Sequence, residues 1–125
     1  IADRLSGMHC ITDVYSNDSC ELAAAGSFGY CCRTISDFGQ NAAVYDFIFN
    51  TVPSRIITPD IICILNKDTT IIDIASGGGT DFNAAGIAGI NAHPYPGLPG
   101  KYAPMSSGIM LAKIIISLTS ECSNL

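Results

Sequence analysis

IICILNKDTTIIDIA, residues 61–75, is the stretch on which the fold turns. Two β-branched runs, Ile61 to Leu65 and Thr70 to Ala75, flank the polar quartet Asn66-Lys67-Asp68-Thr69, which has the length of a hairpin connection. The pattern predicts a pair of antiparallel strands with Asp73 facing outward. The rest of the chain is then read outward from that central pair.

Upstream, Met8 to Tyr15 is β-branched and aromatic and predicts a first strand, ended by a turn at Ser16 to Ser19. Glu21 to Tyr30 lies between Cys20 and the Cys31-Cys32 doublet and fits either a short helical turn or a stapled loop. Ser36 can cap a helix with Asp37 in its first turn. Phe38, Tyr45, Ile48, Phe49 and Val52 then share a helical face, and Pro53 stops the segment.

Downstream, Ser76-Gly77-Gly78-Gly79 breaks the second strand of the pair, and Thr80 or Asp81 can cap a weak helix over Phe82 to Ala92. His93 to Pro104, with four prolines and two glycines, reads as an extended connector. Gly108 to Thr119 alternates apolar residues with Lys113, Ser117 and Thr119 around Ile114-Ile115-Ile116, which favours a strand. The order strand, helix, strand, strand, helix, strand predicts an α+β, ferredoxin-like split βαβ sandwich. It would be one secreted cysteine-rich domain over residues 1–125, a four-stranded antiparallel sheet with two helices on one face.

Six cysteines, Cys10, Cys20, Cys31, Cys32, Cys63 and Cys122, form an even set without zinc-site spacing. Such a set predicts three disulfides in an oxidising compartment. In the expected sheet the first and last strands are antiparallel neighbours, which would bring Cys10 to Cys122. The Cys31-Cys32 doublet would bond to Cys20 and Cys63, with the assignment open.

Apolar residues are 48% of the chain and charged residues 14%, enough for a real core and too little charge for a disordered tail. The net charge of -5 comes without any basic cluster, which argues against nucleic acid as a partner. The longest nearly apolar run is too short to span a bilayer, so no stable membrane insertion is expected. The start at Ile1, with no signal segment, reads as a mature secreted form.

The Asn17-Asp18-Ser19 sequon could accept a glycan, or be a polar turn. The three glycines at 77–79 could cradle phosphate with backbone N–H groups, but the lysine of a P-loop and the spacing of a dinucleotide fingerprint are missing. His9 and His93 stand in no motif that would supply a nucleophile with a base. With no tryptophan and no selected carboxylate pair, glycoside chemistry has no signature either. The expectation is no catalysis, no cofactor and no metal. Tyr95, Leu98 and Tyr102 in the proline-rich segment and Lys113 beyond it form a candidate contact surface, for a homodimer or a second protein.

With a stapled βαββαβ order, a glycine-rich acidic composition and the doublet at Cys31-Cys32, the chain resembles the small secreted cysteine-rich effectors of plant-pathogenic fungi. Within these it is similar to those with the killer-toxin-like αβ-sandwich, including avirulence effectors of the secreted-in-xylem type. The resemblance implies a virulence protein of the host apoplast or cell that acts by binding a host protein or a second effector. The competing expectation is a killer-like or antimicrobial toxin acting on membranes through Ile109 to Leu118, against which the net negative charge counts.

Overall fold

The computed structural model describes residues 1–97 together with Lys101, Met105 and Ile109. Its strands are β1 (Asp13–Tyr15), β2 (Cys31–Arg33), β3 (Phe47–Asn50), β4 (Thr70–Asp73) and β5 (Asn91–Pro94). Every pairing among them is parallel. β1 pairs β2 with Val14 opposite Cys32, and β4 lies between β3 and β5 with Ile71 opposite Ile48 and Ala92. Parallel neighbours cannot be joined by a tight turn and need a crossover. Helices supply it: α1 (Ala2–Gly7) precedes β1, α2 (Ser19–Ser27) joins β1 to β2, and helical turns around α3 (Phe38–Asn41) lead to β3. α4 (Pro59–Ile64) and α5 (Phe82–Ala88) then flank β4 in sequence and pack on each other.

This overturns the antiparallel split βαβ sandwich, and the decisive difference sits in residues 61–75. Ile61 to Leu65 is not a strand. Pro59 occupies the first turn after Thr58, where its missing N–H is no loss, and the run continues as α4. Ile62 and Leu65, three apart, are both buried against the sheet, as a helical stripe requires. A short apolar run of this kind cannot be assigned by periodicity alone, because a buried helix and a buried strand look alike. Asn66 to Thr69 therefore turns the chain from helix into β4. Thr69, 1% exposed, donates its hydroxyl to the Tyr45 carbonyl (2.8 Å) and so anchors the entry to that strand.

The other departures share a cause. The helical face counted through Tyr45, Ile48, Phe49 and Val52 ends at Val44, and Phe47–Asn50 is a strand in which Ile48 and Asn50 are buried. Met8 to Tyr15 opens with the turn that closes α1 and continues as irregular chain, with only its last three residues in β1. His9 adopts φ 62° where α1 terminates, and the Cys10 N–H reaches back to the Leu5 carbonyl (3.1 Å). His93 and Pro94 belong to β5, while Lys101 donates its N–H to the Gly97 carbonyl (3.1 Å) in a helical turn, so the segment is not one extended connector. The last strand expected at Gly108 to Thr119 lies outside the described residues apart from Ile109.

The core is Phe38, Ala42, Ile48, Ile57, Ile62, Leu65, Ile71, Ala85 and Ile90, centred on β4 and the faces of α4 and α5. β4 reads Thr-Ile-Ile-Asp and is covered by apolar side chains, as a central parallel strand should be. Local caps agree with this plan. Asp18 accepts the N–H groups of Cys20 (2.7 Å) and Glu21 (3.2 Å) to start α2. Asp81 accepts that of Ala84 (3.0 Å) to start α5, which ends on Gly89 at φ 71°.

The disulfide framework is also overturned. Cys10, Cys20, Cys31, Cys32 and Cys63 are free thiols, and all but the half-buried Cys32 are exposed. The argument that brought Cys10 to Cys122 required antiparallel outer strands, and β1 instead runs parallel to β2. Cys122 lies outside the described residues. Without staples, the case for an oxidising compartment loses its support.

Candidate functional site

In an open parallel sheet the loops after the strands gather at one edge, and ligands bind in the crevice outside the carboxyl ends of the strands. Here those loops are Ser16 to Asp18 after β1, Thr51 to Ile56 after β3 and Ile74 to Thr80 after β4. The first two face each other across a cavity of about 420 Å³ lined by Ser16, Asn17, Asp18, Glu21 and Thr51 to Ser54.

The β3 and β4 loops are tied by a buried polar knot. Asp73, 2% exposed, accepts the N–H of Ala75 on Oδ1 (3.0 Å) and that of Gly79 on Oδ2 (2.8 Å). Burial alone would raise its pKa. The Gly79 N–H outweighs it, with the nearby Thr80 hydroxyl, the Asn50 amide and the Ala75 N–H, and holds the carboxyl below its ordinary value. Asn50 closes its own turn, Nδ2 donating to the Val52 carbonyl (3.2 Å) and Oδ1 accepting the Val52 N–H (3.2 Å). The Gly79 carbonyl in turn accepts from Ile56 (3.1 Å) and Ile57 (2.9 Å), and Ile57 bridges to Thr80. A Cβ at Gly79 would lie 2.2 Å from Asn50 Nδ2, 2.7 Å from the Ser54 carbonyl oxygen and 2.8 Å from that of Val52. Only glycine fits there.

The third loop is tied too. Ser16, 8% exposed, donates to Glu21 Oε2 (2.5 Å) and accepts the Asp18 N–H (3.0 Å), while Asn17 Oδ1 accepts the Ile35 N–H (3.3 Å). Beneath, Tyr45 donates to Asp13 Oδ2 (2.6 Å) and shares a hydrogen bond with Tyr15 (2.7 Å). Burial, then these two bonds, push the Tyr45 phenol far above its ordinary pKa. The crevice thus offers hydroxyl, amide and carboxylate groups already fixed in place, with acceptors in excess. That chemistry suits a ligand rich in hydroxyl donors.

The sequence-based site residues fall elsewhere. The glycines at 77–79 do not form an anion cradle, because the Gly78 N–H bonds to the Ala75 carbonyl (3.3 Å) and the Gly79 N–H is held by Asp73. Asp73 points into the core, not outward. Asn17, read as a glycan acceptor, is exposed but uses its amide oxygen to hold the loop. Tyr95 is 45% exposed, its ring 6.1 Å from that of His93. Leu98, Tyr102 and Lys113, its expected companions, lie outside the described residues. Asn50, Ser16 and Glu21 belong to no motif that sequence reasoning singles out. The signal available for them was Asn50-Thr51-Val52-Pro53, a turn sequence directly after an apolar run.

No protein-family model matches the chain. The A subunit of dipicolinate synthase from Bacillus subtilis is 32% identical over 122 residues, which are 97% of this chain and 41% of that protein. The chain superposes on the crystal structure of that protein with a TM-score of 0.82. On the corresponding structure from Bacillus halodurans the score is 0.80 at 33% identity, covering 94% of this chain and 40% of that one. The chain thus spans about two fifths of the length of the relatives it matches, and shares the parallel, Rossmann-like fold of that part. These likenesses overturn the resemblance to fungal effectors and, with it, the virulence and toxin readings and the host or effector partner. They equally remove the expectation of a secreted, non-enzymatic protein, since the relatives are bacterial and are named as subunits of a synthase. Of the expected partners, what these likenesses leave is the relatives' own naming as A subunits.

Proposed function

We propose that this chain is the nucleotide-binding part of a dipicolinate synthase subunit of the A type, working in a complex with a second polypeptide. The observation that carries the reading is continuous likeness, 32% identity across 97% of the chain with a TM-score of 0.82. The fold supports it independently, because doubly wound parallel sheets bind dinucleotides at the carboxyl edge where the strand order reverses. The residues present suit the ribose end of such a ligand: the buried Ser16 hydroxyl, Glu21 and Asn17 surround a cavity of the right order for one nucleoside. A glycine-rich turn for the pyrophosphate is not found in these 125 residues and would come from elsewhere in the polypeptide.

The test is dipicolinate formation by the full-length polypeptide with its partner, alongside calorimetric titration with NAD and NADP. Dipicolinate production and saturable dinucleotide binding are expected, with affinity reduced at least tenfold in Ser16→Ala/Glu21→Gln. Absence of both activities in a folded complex would overturn the reading.

A further inference from the structure

The crevice beside the β1 loop carries negative charge and no cation. Asp18 and Glu21 bring carboxylates to its lining, and no Lys, Arg or His is among the residues that line it. The guanidinium groups of neighbouring elements are engaged elsewhere, Arg33 against Asp13 (3.7 Å) and Arg55 against Asp81 (3.1 Å). Both carboxylates are held in place, and each keeps an acceptor in reserve. Asp18 Oδ1 takes the N–H groups of Cys20 (2.7 Å) and Glu21 (3.2 Å), and Glu21 Oε2 takes the Ser16 hydroxyl (2.5 Å). Among the described residues, Asp18 Oδ2 and Glu21 Oε1 make no hydrogen bond. The start of a helix ordinarily invites an anion through its unsatisfied N–H groups. In α2 the Asp18 carboxylate already occupies that place, so an incoming phosphate would meet a like charge there.

We propose that this crevice selects a dinucleotide whose adenosine ribose has both hydroxyls free, so that the chain takes NAD and rejects NADP. The inference rests on the dinucleotide reading above and adds to it the choice between the two cofactors. Donors and acceptors decide that choice. A ribose diol brings two O–H donors, and Asp18 and Glu21, three residues apart at the head of α2, offer one charged acceptor oxygen each. Hydrogen bonds to a carboxylate are stronger than those between neutral groups. A phosphate on the ribose replaces one donor by roughly two negative charges, and sites that accept it supply an arginine, which this lining lacks. The selection is therefore repulsive as well as attractive. Asp18 and Glu21 determine specificity, and Ser16 is a positioning residue that fixes Glu21 through its hydroxyl.

Parallel calorimetric titrations of the full-length polypeptide with NAD and with NADP test it. NAD should bind at least about tenfold more tightly at low salt. Because Asp18 and Glu21 are exposed, added salt should narrow that ratio. In Asp18→Asn/Glu21→Gln, whose asparagine can still cap α2, the preference should fall to about threefold or less while circular dichroism stays that of the wild type. Glu21→Gln alone, which leaves the cap untouched, should move the ratio in the same direction. Carboxylates with a structural role only would weaken both dinucleotides alike in these variants, and an unmoved ratio would overturn the proposal. So would a ratio indifferent to salt, the mark of a steric choice. NADP bound as tightly as NAD by the wild type would overturn it while leaving the dinucleotide reading intact. Binding of neither would remove that reading and this inference together.

Discussion

Replacing Gly79 by alanine should be among the most damaging single-methyl changes in this domain. The added carbon would sit 2.2 Å from the Asn50 amide and within 2.8 Å of two backbone carbonyl oxygens, of Ser54 and Val52. The amide can swing away only by breaking the Asn50 turn, and the carbonyls can retreat only by moving the whole β3 loop. Overpacking of this kind costs roughly 1–3 kcal/mol, and each disrupted buried hydrogen bond adds about 1 kcal/mol, so a loss near 3–4 kcal/mol is expected. For a domain of this size that lowers the melting temperature by about 10 °C or more. Two neighbouring glycines calibrate the measurement. Gly78 has open space but φ 71°, so Gly78→Ala should cost only the left-handed strain, about 1–2 kcal/mol. Gly86, within α5 and open to solvent, should gain roughly 0.5–1 kcal/mol on conversion to alanine. Urea unfolding of the three variants ranks them. A Gly79→Ala loss below that of Gly78→Ala would refute the knot as a rigid close contact.

Asp73→Asn should destabilise by about 2–3 kcal/mol, because an amide can face only one of the two N–H donors with an acceptor. Its folded pKa is depressed, so the contribution is present above the ordinary carboxylate range and is lost as pH falls through the folded value. The wild type should therefore lose stability on acidification below about pH 4 more steeply than the variant in urea titrations. Thr80→Val should change stability by no more than about 0.5 kcal/mol in thermal melting, since the buried Thr80 hydroxyl lies near Asp73 without a well-formed hydrogen bond among the described residues. Thiol titration under native, non-reducing conditions should modify Cys10, Cys20, Cys31 and Cys63, and added reductant should leave the melting temperature unchanged.

What was legible in the sequence depended on whether a local signal had one meaning. A cap at Thr80 or Asp81, which the fold places at Asp81, a helix starting at Phe82 and a strand within Thr70 to Ala75 each follow from residue types that point one way, although the helix expected to reach Ala92 stops at Ala88 and gives way to β5. Ile61 to Leu65 does not, because isoleucine is favourable in a strand and equally at home on the buried face of α4. The single discriminating residue is Pro59, which suits a first helical turn and has no role at the head of a central strand. Reading that run as a strand forces every later pairing antiparallel. The even cysteine count then acquires a compartment and a family that the thiols do not support. The site is least visible, since its frame consists of residues from β1, β3 and β4 brought together only by a parallel sheet.

The polar residues at the carboxyl edge are where local economy is violated. Asn50, Asp73 and Thr80 occupy positions of at most 7% exposure beside a core of isoleucine and alanine. Apolar residues there would avoid the desolvation that each of these groups suffers. What the polar set provides is direction: Asp73 can hold two N–H groups at once, and Asn50 turns the chain without solvent, so the loops after β3 and β4 are fixed to each other before any ligand arrives. The β1 loop is held separately, by Ser16, Asp18 and Glu21. The crevice between them therefore has walls on two supports, linked by the Tyr45 phenol, which bonds to Asp13 and Tyr15 while Thr69 holds the Tyr45 carbonyl. A ligand lying across both walls would feel a displaced β1 loop at once, whereas the knot would not. It follows that loosening the Tyr45 link, as in Tyr45→Phe, should weaken binding with little change in the environment of Asp73, while loosening the knot should change both.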